Sequence, residues 1–450
     1  MLKIPLTALI IVLAFSGISN APSLQRKIPI QDKQPNFIII MADDLGYGDI
    51  SPFDGWIHTP HLDQLAEEGM RFTDFYASGP VCSPTRAGLL TGRYQQRAGI
   101  PGVVYAAPDR NRNHGLQPGE WTFAEALREA GYATGMFGKW HLGYETKYNP
   151  IHHGFDEFRG YVSGNVDYFA HVDQAGFYDW WSQDKLINEP GYVTHLITQH
   201  ALRFIDKNKD TPFVLYLPHE APHYPFQGPD DEPFRIVNTQ VGEKRDSAQV
   251  KKAYREMVEV MDTGIGEILQ KVAENNLEEN TLVLFFSDNG ATTNGSNGIL
   301  RGHKGSLWEG GIRVPAIARW KGKIEPGSTT NQQAITLDIF PTIKSLAGIE
   351  IKDEAHFDGI DLTSTLLGQA QPKDRQLFWQ YGNESAMRQG PWKIHKGKDE
   401  DVALFNLTQT PKEETDSSTM YPDRVESMNN QLIAWENEVK TNATIQPEKP

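Results

Sequence analysis

Phe37-Ile38-Ile39-Ile40-Met41-Ala42-Asp43-Asp44 is an apolar, β-branched run that stops on two carboxylates. It reads as a buried strand. Residues 133–137, 213–217 and 282–286 are runs of the same kind. Helical patterns lie between them. Residues 121–130 end at Gly131, a suitable C-cap, and residues 251–276 carry Tyr254, Met257, Met261, Ile265 and Ile268 along one face. Strands alternating with helices predict an α/β fold on a large, mixed, mostly parallel sheet flanked by helices.

In such sheets ligands bind beyond the carboxyl ends of the strands. Here those ends carry chemistry. Asp43 and Asp44 follow the first run, Lys139 and His141 the second, His219 and His223 the third, Asp288 and Asn289 the fourth. Four strands therefore deliver carboxylates, a cation and imidazoles to one edge. Beyond about residue 370 the pattern changes to short strand candidates at 377–381, 392–395 and 403–405, separated by polar turns. They predict a catalytic domain over residues 35–370. A smaller C-terminal α+β domain with an antiparallel sheet would follow over 371–450, ending in a loose tail.

A chain of 450 residues can bury a large core. Its formal charge of −15 argues against nucleic-acid or anionic-membrane partners, so an anionic substrate would need a few local cations. Lys3, the apolar run 6–15 and the small residues Ser19-Asn20-Ala21 read as a signal peptide over residues 1–21. The run is shorter than the roughly 20 residues of a membrane-spanning anchor, and no cysteine near the cleavage site offers a lipid anchor. Cys82 is the only cysteine, so no intrachain disulfide can form. An exported, periplasmic or secreted protein of this kind fits a bacterial origin better than a lysosomal one.

The functional reading turns on Cys82-Ser83-Pro84-Thr85-Arg86-Ala87-Gly88-Leu89-Leu90-Thr91-Gly92-Arg93. Pro84 suits a first helical turn and Gly92 a helix end. Cys82 then sits at a helix N-terminus, where free N–H groups favour an anion. Arg86, four residues on, shares its face. A lone cysteine is more often a small buried apolar residue; its neighbours reverse that reading. Cys-x-Pro-x-Arg followed by Leu-Thr-Gly-Arg resembles the signature of the formylglycine-dependent (type I) sulfatases. Met41-Ala42-Asp43-Asp44, Gly138-Lys139-Trp140-His141, Ser287-Asp288-Asn289-Gly290 and Gly302-His303-Lys304-Gly305 resemble further motifs of that family, in order. Among its members, the chain resembles arylsulfatase A and N-acetylgalactosamine-6-sulfatase. The resemblance implies an alkaline-phosphatase-like fold and hydrolysis of sulfate esters. It also implies a formylglycine-generating maturation enzyme that oxidises Cys82 to 3-oxoalanine.

Asp43, Asp44, Asp288 and Asn289 offer only oxygen donors, which suit Ca²⁺ and, second to it, Mg²⁺. Zinc would usually draw on histidine or cysteine. Seen alone, an Asp-Asp or Asp-Asn-Gly sequence is commonly a turn or cap; the resemblance implies that these four hold calcium. It also brings Lys139 and Lys304 to the sulfate oxygens. His141 and His223 are the acid–base candidates, because histidine titrates near neutrality. His219 and His303 read as structural, and Ser163 and Asn165 as outer support. The implied mechanism is covalent. The hydrated aldehyde at position 82, polarised by Ca²⁺ and Arg86, attacks sulfur while His223 protonates the departing alcohol. His141 then takes a proton from the second hydroxyl, sulfate is eliminated, and the aldehyde returns.

Tyr161, Tyr168, Phe169, Phe177, Tyr178, Trp180 and Trp181 crowd a stretch with no clear periodicity. They read either as platforms for sugar rings or as packing beneath a long loop. A sulfated glycan is the expected substrate, with aryl sulfates turned over as well. Two other readings stay open at this level. One is a phosphatase or phosphonate monoester hydrolase on the same fold; the other is a glycan-binding protein whose cysteine is never oxidised.

Overall fold

The computed structural model describes Met1 and residues 34–107, 110–239, 245–350, 356–399, 401–441 and 443–447. Beyond Met1, the signal-peptide reading lies outside the described residues. Ten strands form one sheet, in the order β11 (Ser328–Thr330), β2 (Met70–Phe72), β10 (Ala316–Arg319), β9 (Thr281–Ser287), β1 (Asn36–Ala42), β8 (Phe213–Pro218), β4 (Ala133–Lys139), β5 (Glu157–Tyr161), β6 (Trp181–Ser182) and β7 (Lys185–Leu186). The central strands β9, β1, β8, β4 and β5 are all parallel, whereas β10, β6 and β7 pair antiparallel with their neighbours. The sheet is mixed and mostly parallel, as the strand–helix alternation implies.

Each of the four apolar runs is a central strand, extended slightly by polar ends such as Asn36 and Lys139 that still pair in the ladder. Successive side chains of β1 enter different cores, because strand side chains alternate across a sheet. Phe37, Ile39 and Met41 pack with α2 (Cys82–Thr91) and α3 (Phe123–Glu129). Ile38, Ile40 and Ala42 pack with α4 (Val193–Asn208) and α5 (Ser247–Glu274). A strand covered on both faces has no position for a polar residue until it leaves the sheet. That is why the chemistry begins at Asp43.

Caps set the helix limits more sharply than the apolar stripes do. Asp246 accepts hydrogen bonds from Ala248 and Gln249, so α5 starts at Ser247, ahead of its first apolar contact. Thr122 and Glu125 form a capping box that starts α3 at Phe123 and leaves Trp121 outside.

β3 (Phe75–Tyr76) pairs with β12 (Ala334–Ile335). β13 (Gln376–Tyr381), β14 (Glu384–Gln389), β15 (Trp392–Lys396) and β16 (Val402–Asn406) form the expected antiparallel sheet. With helix Pro422–Thr441, this sheet shares a third core with Tyr76, Tyr94 and Leu337. β14 has no apolar signature because it buries Ser385 and Arg388, the latter held by Asp74 at 2.5 Å. The tail differs from the expectation of a loose end. Thr444 donates its N–H to Arg97 O at 2.8 Å, and Gln446 accepts from Gly115 N–H at 3.1 Å and from Gln117 at 2.9 Å. Amide pairing, not apolar burial, holds it, so hydropathy carries no sign of it. No helix among the described residues is long and apolar enough to cross a membrane.

Candidate active site at the carboxyl edge of the sheet

Ala42 and Ser287 are register partners in β1 and β9, so the residues that leave these strands meet. The Asp44 N–H donates to Asp288 Oδ1 at 3.3 Å, and Asn289 Nδ2 donates to Asp44 Oδ1 at 2.7 Å. Asp44 adopts a left-handed conformation, φ 66°, a strained choice for a non-glycine residue and one that clusters at functional sites. Asn289 Oδ1 is buried with no hydrogen-bond partner among the described residues. An orphaned buried acceptor costs about 1–3 kcal/mol unless something coordinates it. Together with Asp43, Asp44 and Asp288 it makes an all-oxygen set, which fits Ca²⁺ or Mg²⁺. Asp43, Asp44, Cys82 and His223 also bring ligand atoms within 4.8 Å of one another. The two groupings share both aspartates, and the orphaned oxygen favours the first.

Cys82 is the first residue of α2, after an extended Val81, and Gly92 closes the helix with φ 66°. The Cys82 thiol lies 3.5 Å from Asp43 Oδ1, and Lys304 Nζ donates to its sulfur at 3.3 Å. Burial, then the Asp43 charge, push the thiol up to about 12, so the unmodified side chain is a poor nucleophile near neutral pH. Burial also works against the Asp43 charge, but Lys139, His223, Arg86 and Lys304 outweigh it and hold this carboxyl well below the usual range. Burial and the neighbouring Asp43 push Asp288 up to about 7.

Arg86 is fully buried behind these carboxylates. Its Nη2 lies 2.9 Å from Asp288 and 3.5 Å from Asp43, and its Nη1 donates to Lys139 O at 2.9 Å. Lys139 is also fully buried, with Nζ 2.5 Å from Asp43 Oδ2. Neither lines the cleft at Cys82, which Cys82, His141, His223 and Lys304 do. Lys304 reaches across the cleft floor to Asp44 Oδ1 at 2.6 Å.

The two histidines present different atoms. His223 places Nδ1 2.6 Å from Tyr224 O, so that nitrogen carries a proton and Nε2 is left 3.7 Å from Asp44 Oδ2. Burial and then Lys304 push His223 down to about 4. His141 donates from Nε2 to Val104 O at 2.9 Å, while its buried Nδ1 has no partner among the described residues. Burial, Lys139 and Arg86 hold His141 well below its ordinary value, so it is neutral. It sits at φ 57°, and Gly164 packs so closely against it that a Cβ there would lie 2.8 Å from Nε2.

Ser163 and Asn165 line the cleft. Two buried carboxylates hold their loop: Asp179 accepts from Val162 and Ser163, and Glu220 from Val166. His219 is fully buried and His303 meets Asn297 Nδ2 at 3.4 Å; neither lines the cleft. The aromatic stretch divides. Tyr161, Tyr168 and Trp180 are core packing, and Phe177 is exposed. The rings that line the cleft are Tyr105, Tyr144 and Tyr224, which the aromatic-rich stretch does not include. For two of them the signal was chain proximity, since Tyr144 follows His141 by three residues and Tyr224 adjoins His223. Tyr105 lies in a loop with no local signal.

The sulfatase family description matches residues 35–349. N-acetylgalactosamine-6-sulfatase of Canis lupus familiaris is 34% identical over 416 residues, covering 86% of this chain and 75% of that protein. Steryl-sulfatase of Rattus norvegicus is 32% identical over 439 residues, covering 78% of this chain and 73% of that protein. The crystal structure of Ps i-CgsB in complex with k-i-k-neocarrahexaose is similar with a TM-score of 0.82 at 30% identity, over 92% of this chain and 95% of that one. Sequence kinship across the catalytic motifs and likeness over nearly the whole fold agree: this chain belongs to the sulfatase family and is a sulfuric ester hydrolase.

Proposed function

We propose that the protein hydrolyses sulfate monoesters on a carbohydrate, using a formylglycine made from Cys82 and a bound Ca²⁺. The observation that supports this best is the setting of Cys82. It opens a buried helix, with Asp43 at 3.5 Å and Lys304 at 3.3 Å, in a cleft wall shared with two histidines. Asp43, Asp44, Asp288 and Asn289 would hold the ion, which supplies positive charge to the sulfate oxygens and the nucleophile. The modified side chain supplies an oxygen nucleophile whose sulfate ester can be expelled by elimination, a route closed to a serine or cysteine ester.

The other residues prepare that chemistry. Lys304 takes a sulfate oxygen directly from the cleft wall. Arg86 and Lys139 keep Asp43 ionised, Arg86 orients Asp43 and Asp288 from behind, and Lys139 adds its charge to the sulfate site past Asp43. His223 fixes its Nδ1 proton on Tyr224 O, so Nε2 is the atom that gives a proton to the leaving oxygen. An anionic ester bound beside it strengthens its hold on that proton, against the effect of burial. His141 is fixed in the opposite sense by Val104 O, and its free Nδ1 takes the proton of the release step. Tyr105, Tyr144 and Tyr224 offer ring faces to a sugar. Catalysis resides in 35–370 in this reading, with 371–450 as the smaller C-terminal part. The protein is exported, periplasmic or secreted, and matured by a separate formylglycine-generating enzyme.

The test is the mass of the tryptic peptide containing residue 82 in an active preparation. The aldehyde or its hydrate is expected. Full activity with only an unmodified thiol there would sink the proposal.

A further inference from the structure

We propose that a second anion subsite adjoins the sulfate cleft beyond Tyr105, and that it takes a sulfate or carboxylate on the neighbouring sugar of the substrate; this rests on the glycan-sulfatase reading above. A second cavity lies beside the nucleophile's cleft, and Val104 and Tyr105 line both. A ligand spanning the two would therefore cross a wall of two residues. Val104 is also the residue whose carbonyl fixes His141, so the shared wall is part of the ordered site.

The second cavity is lined by Arg110 and His114, and no carboxylate lines it among the described residues. That composition stands out in a chain of net charge −15. Two arginines earlier in the chain are neutralised, Arg93 by Glu120 at 2.8 Å and Arg97 by Asp358 at 3.1 Å, and Arg112 donates to Ala106 O at 2.6 Å. Arg110 is exposed and pairs with no carboxylate among the described residues; its guanidinium lies over the Tyr105 ring, 3.4 Å from the centroid. Stacking fixes the plane of the guanidinium and leaves its N–H edge for a ligand. Sulfate and carboxylate both accept that fork in bidentate fashion.

The wall is also tied in place. Asn111 Oδ1 accepts from the Tyr105 N–H at 2.9 Å, its Nδ2 donates to Val103 O at 2.9 Å, and its carbonyl accepts from the His114 N–H at 2.9 Å. Gly99, at the other side of the cavity, is backed by the C-terminal segment: a Cβ there would lie 2.5 Å from Thr444 O. One asparagine thus ties Tyr105 to His114, and Arg110 stacks on that tyrosine.

The experiment uses the full, matured enzyme with Ca²⁺, in wild-type form and as Arg110→Gln, His114→Gln and the double variant. The substrates are an aryl sulfate, a monosulfated disaccharide, and the same disaccharide with either a second sulfate or a carboxylate on the adjoining ring. Wild type should prefer the doubly charged sugars. The double variant should raise KM for them about tenfold, with kcat nearly unchanged and the aryl sulfate and monosulfated sugar unaffected. Comparing the two doubly charged sugars tells which anion the subsite takes. A preference that survives the double variant, or an equal loss on aryl sulfate, would overturn the subsite. Wild-type turnover of aryl sulfate but of none of the three sugars would overturn the glycan reading and the subsite with it.

Discussion

The ammonium of Lys304 donates to the sulfur of Cys82 across 3.3 Å, although 222 residues separate the two in the chain. It also lies 2.6 Å from Asp44, so one cation joins Cys82 to the oxygen cluster. Lys304→Ala is expected to lower kcat on an aryl sulfate by about 10²–10³-fold, the usual cost of one donor to developing negative charge. The side chain is partly exposed and packs in no core, so the melting temperature should change little. Steady-state kinetics with a thermal melt checks both parts. An active Lys304→Ala enzyme would remove it from the sulfate site.

The opposite tautomers of His141 and His223 separate their roles in kinetics. Loss of the His223 acid should hurt a sugar leaving group far more than nitrophenolate, which departs with little protonation. Loss of the His141 base should instead trap a sulfated enzyme from either ester. Each substitution to alanine should cost about 10²–10⁴-fold in its own step. Turnover on both esters, with intact-protein mass after a brief reaction, distinguishes the two. Equal sensitivity to the leaving group, with no trapped adduct, would mean that the roles are wrongly divided.

Two substitutions in the oxygen cluster should behave differently. Asn289→Ala removes an oxygen that has no partner together with the Nδ2 donation to Asp44, so metal content and activity should fall at a cost of about 1 kcal/mol in apoprotein stability. Asp288→Ala takes from the buried Arg86 its nearer carboxylate, 2.9 Å away, leaving only Asp43 at 3.5 Å, and should cost more, up to about 3 kcal/mol of folding stability. Elemental analysis and urea unfolding of the chelated proteins test the contrast. Identical unfolding curves for the two variants would show that Arg86 does not depend on Asp288.

Mild acid should destabilise the fold through two buried histidines. Burial pushes His153 down to about 3 and His219 down to about 4, so both stay neutral in the folded chain at mildly acid pH. In the unfolded chain a histidine takes its proton near 6.5. The unfolded state then binds more protons, so stability is full above about pH 6.5 and falls as pH drops towards the folded values. Each group contributes a slope of up to about 1.4 kcal/mol per pH unit in that window. Urea unfolding at about pH 7 and about pH 5 should show the loss, and His153→Phe should reduce the slope. An unchanged slope in that variant would mean that His153 is protonated in the folded state.

The four central strands were legible because a strand buried on both faces must be apolar throughout, and only the next residue is free to be polar. Asp43, His141, His223 and Asp288 could therefore be placed at one edge from the chain alone. The sulfatase motifs named Cys82 and Lys304 for the same reason: residue types in a fixed local order are a property of sequence. Tertiary structure decided what depends on neighbours distant in the chain. The strand order β9-β1-β8-β4 brings the four strand ends side by side, and it follows from packing summed over the whole sheet. Lys139 and Arg86 follow motifs like those of Lys304, yet they are sealed behind Asp43 while Lys304 faces the cleft. The proton-bearing nitrogen of each histidine is set by one backbone carbonyl, at Val104 and at Tyr224. Tyr105 lines the cleft from a loop whose backbone Asn111 ties at residues 103 and 105. Local pattern determines which residues must be buried or charged; only the assembled contacts decide which atom of each one meets the substrate.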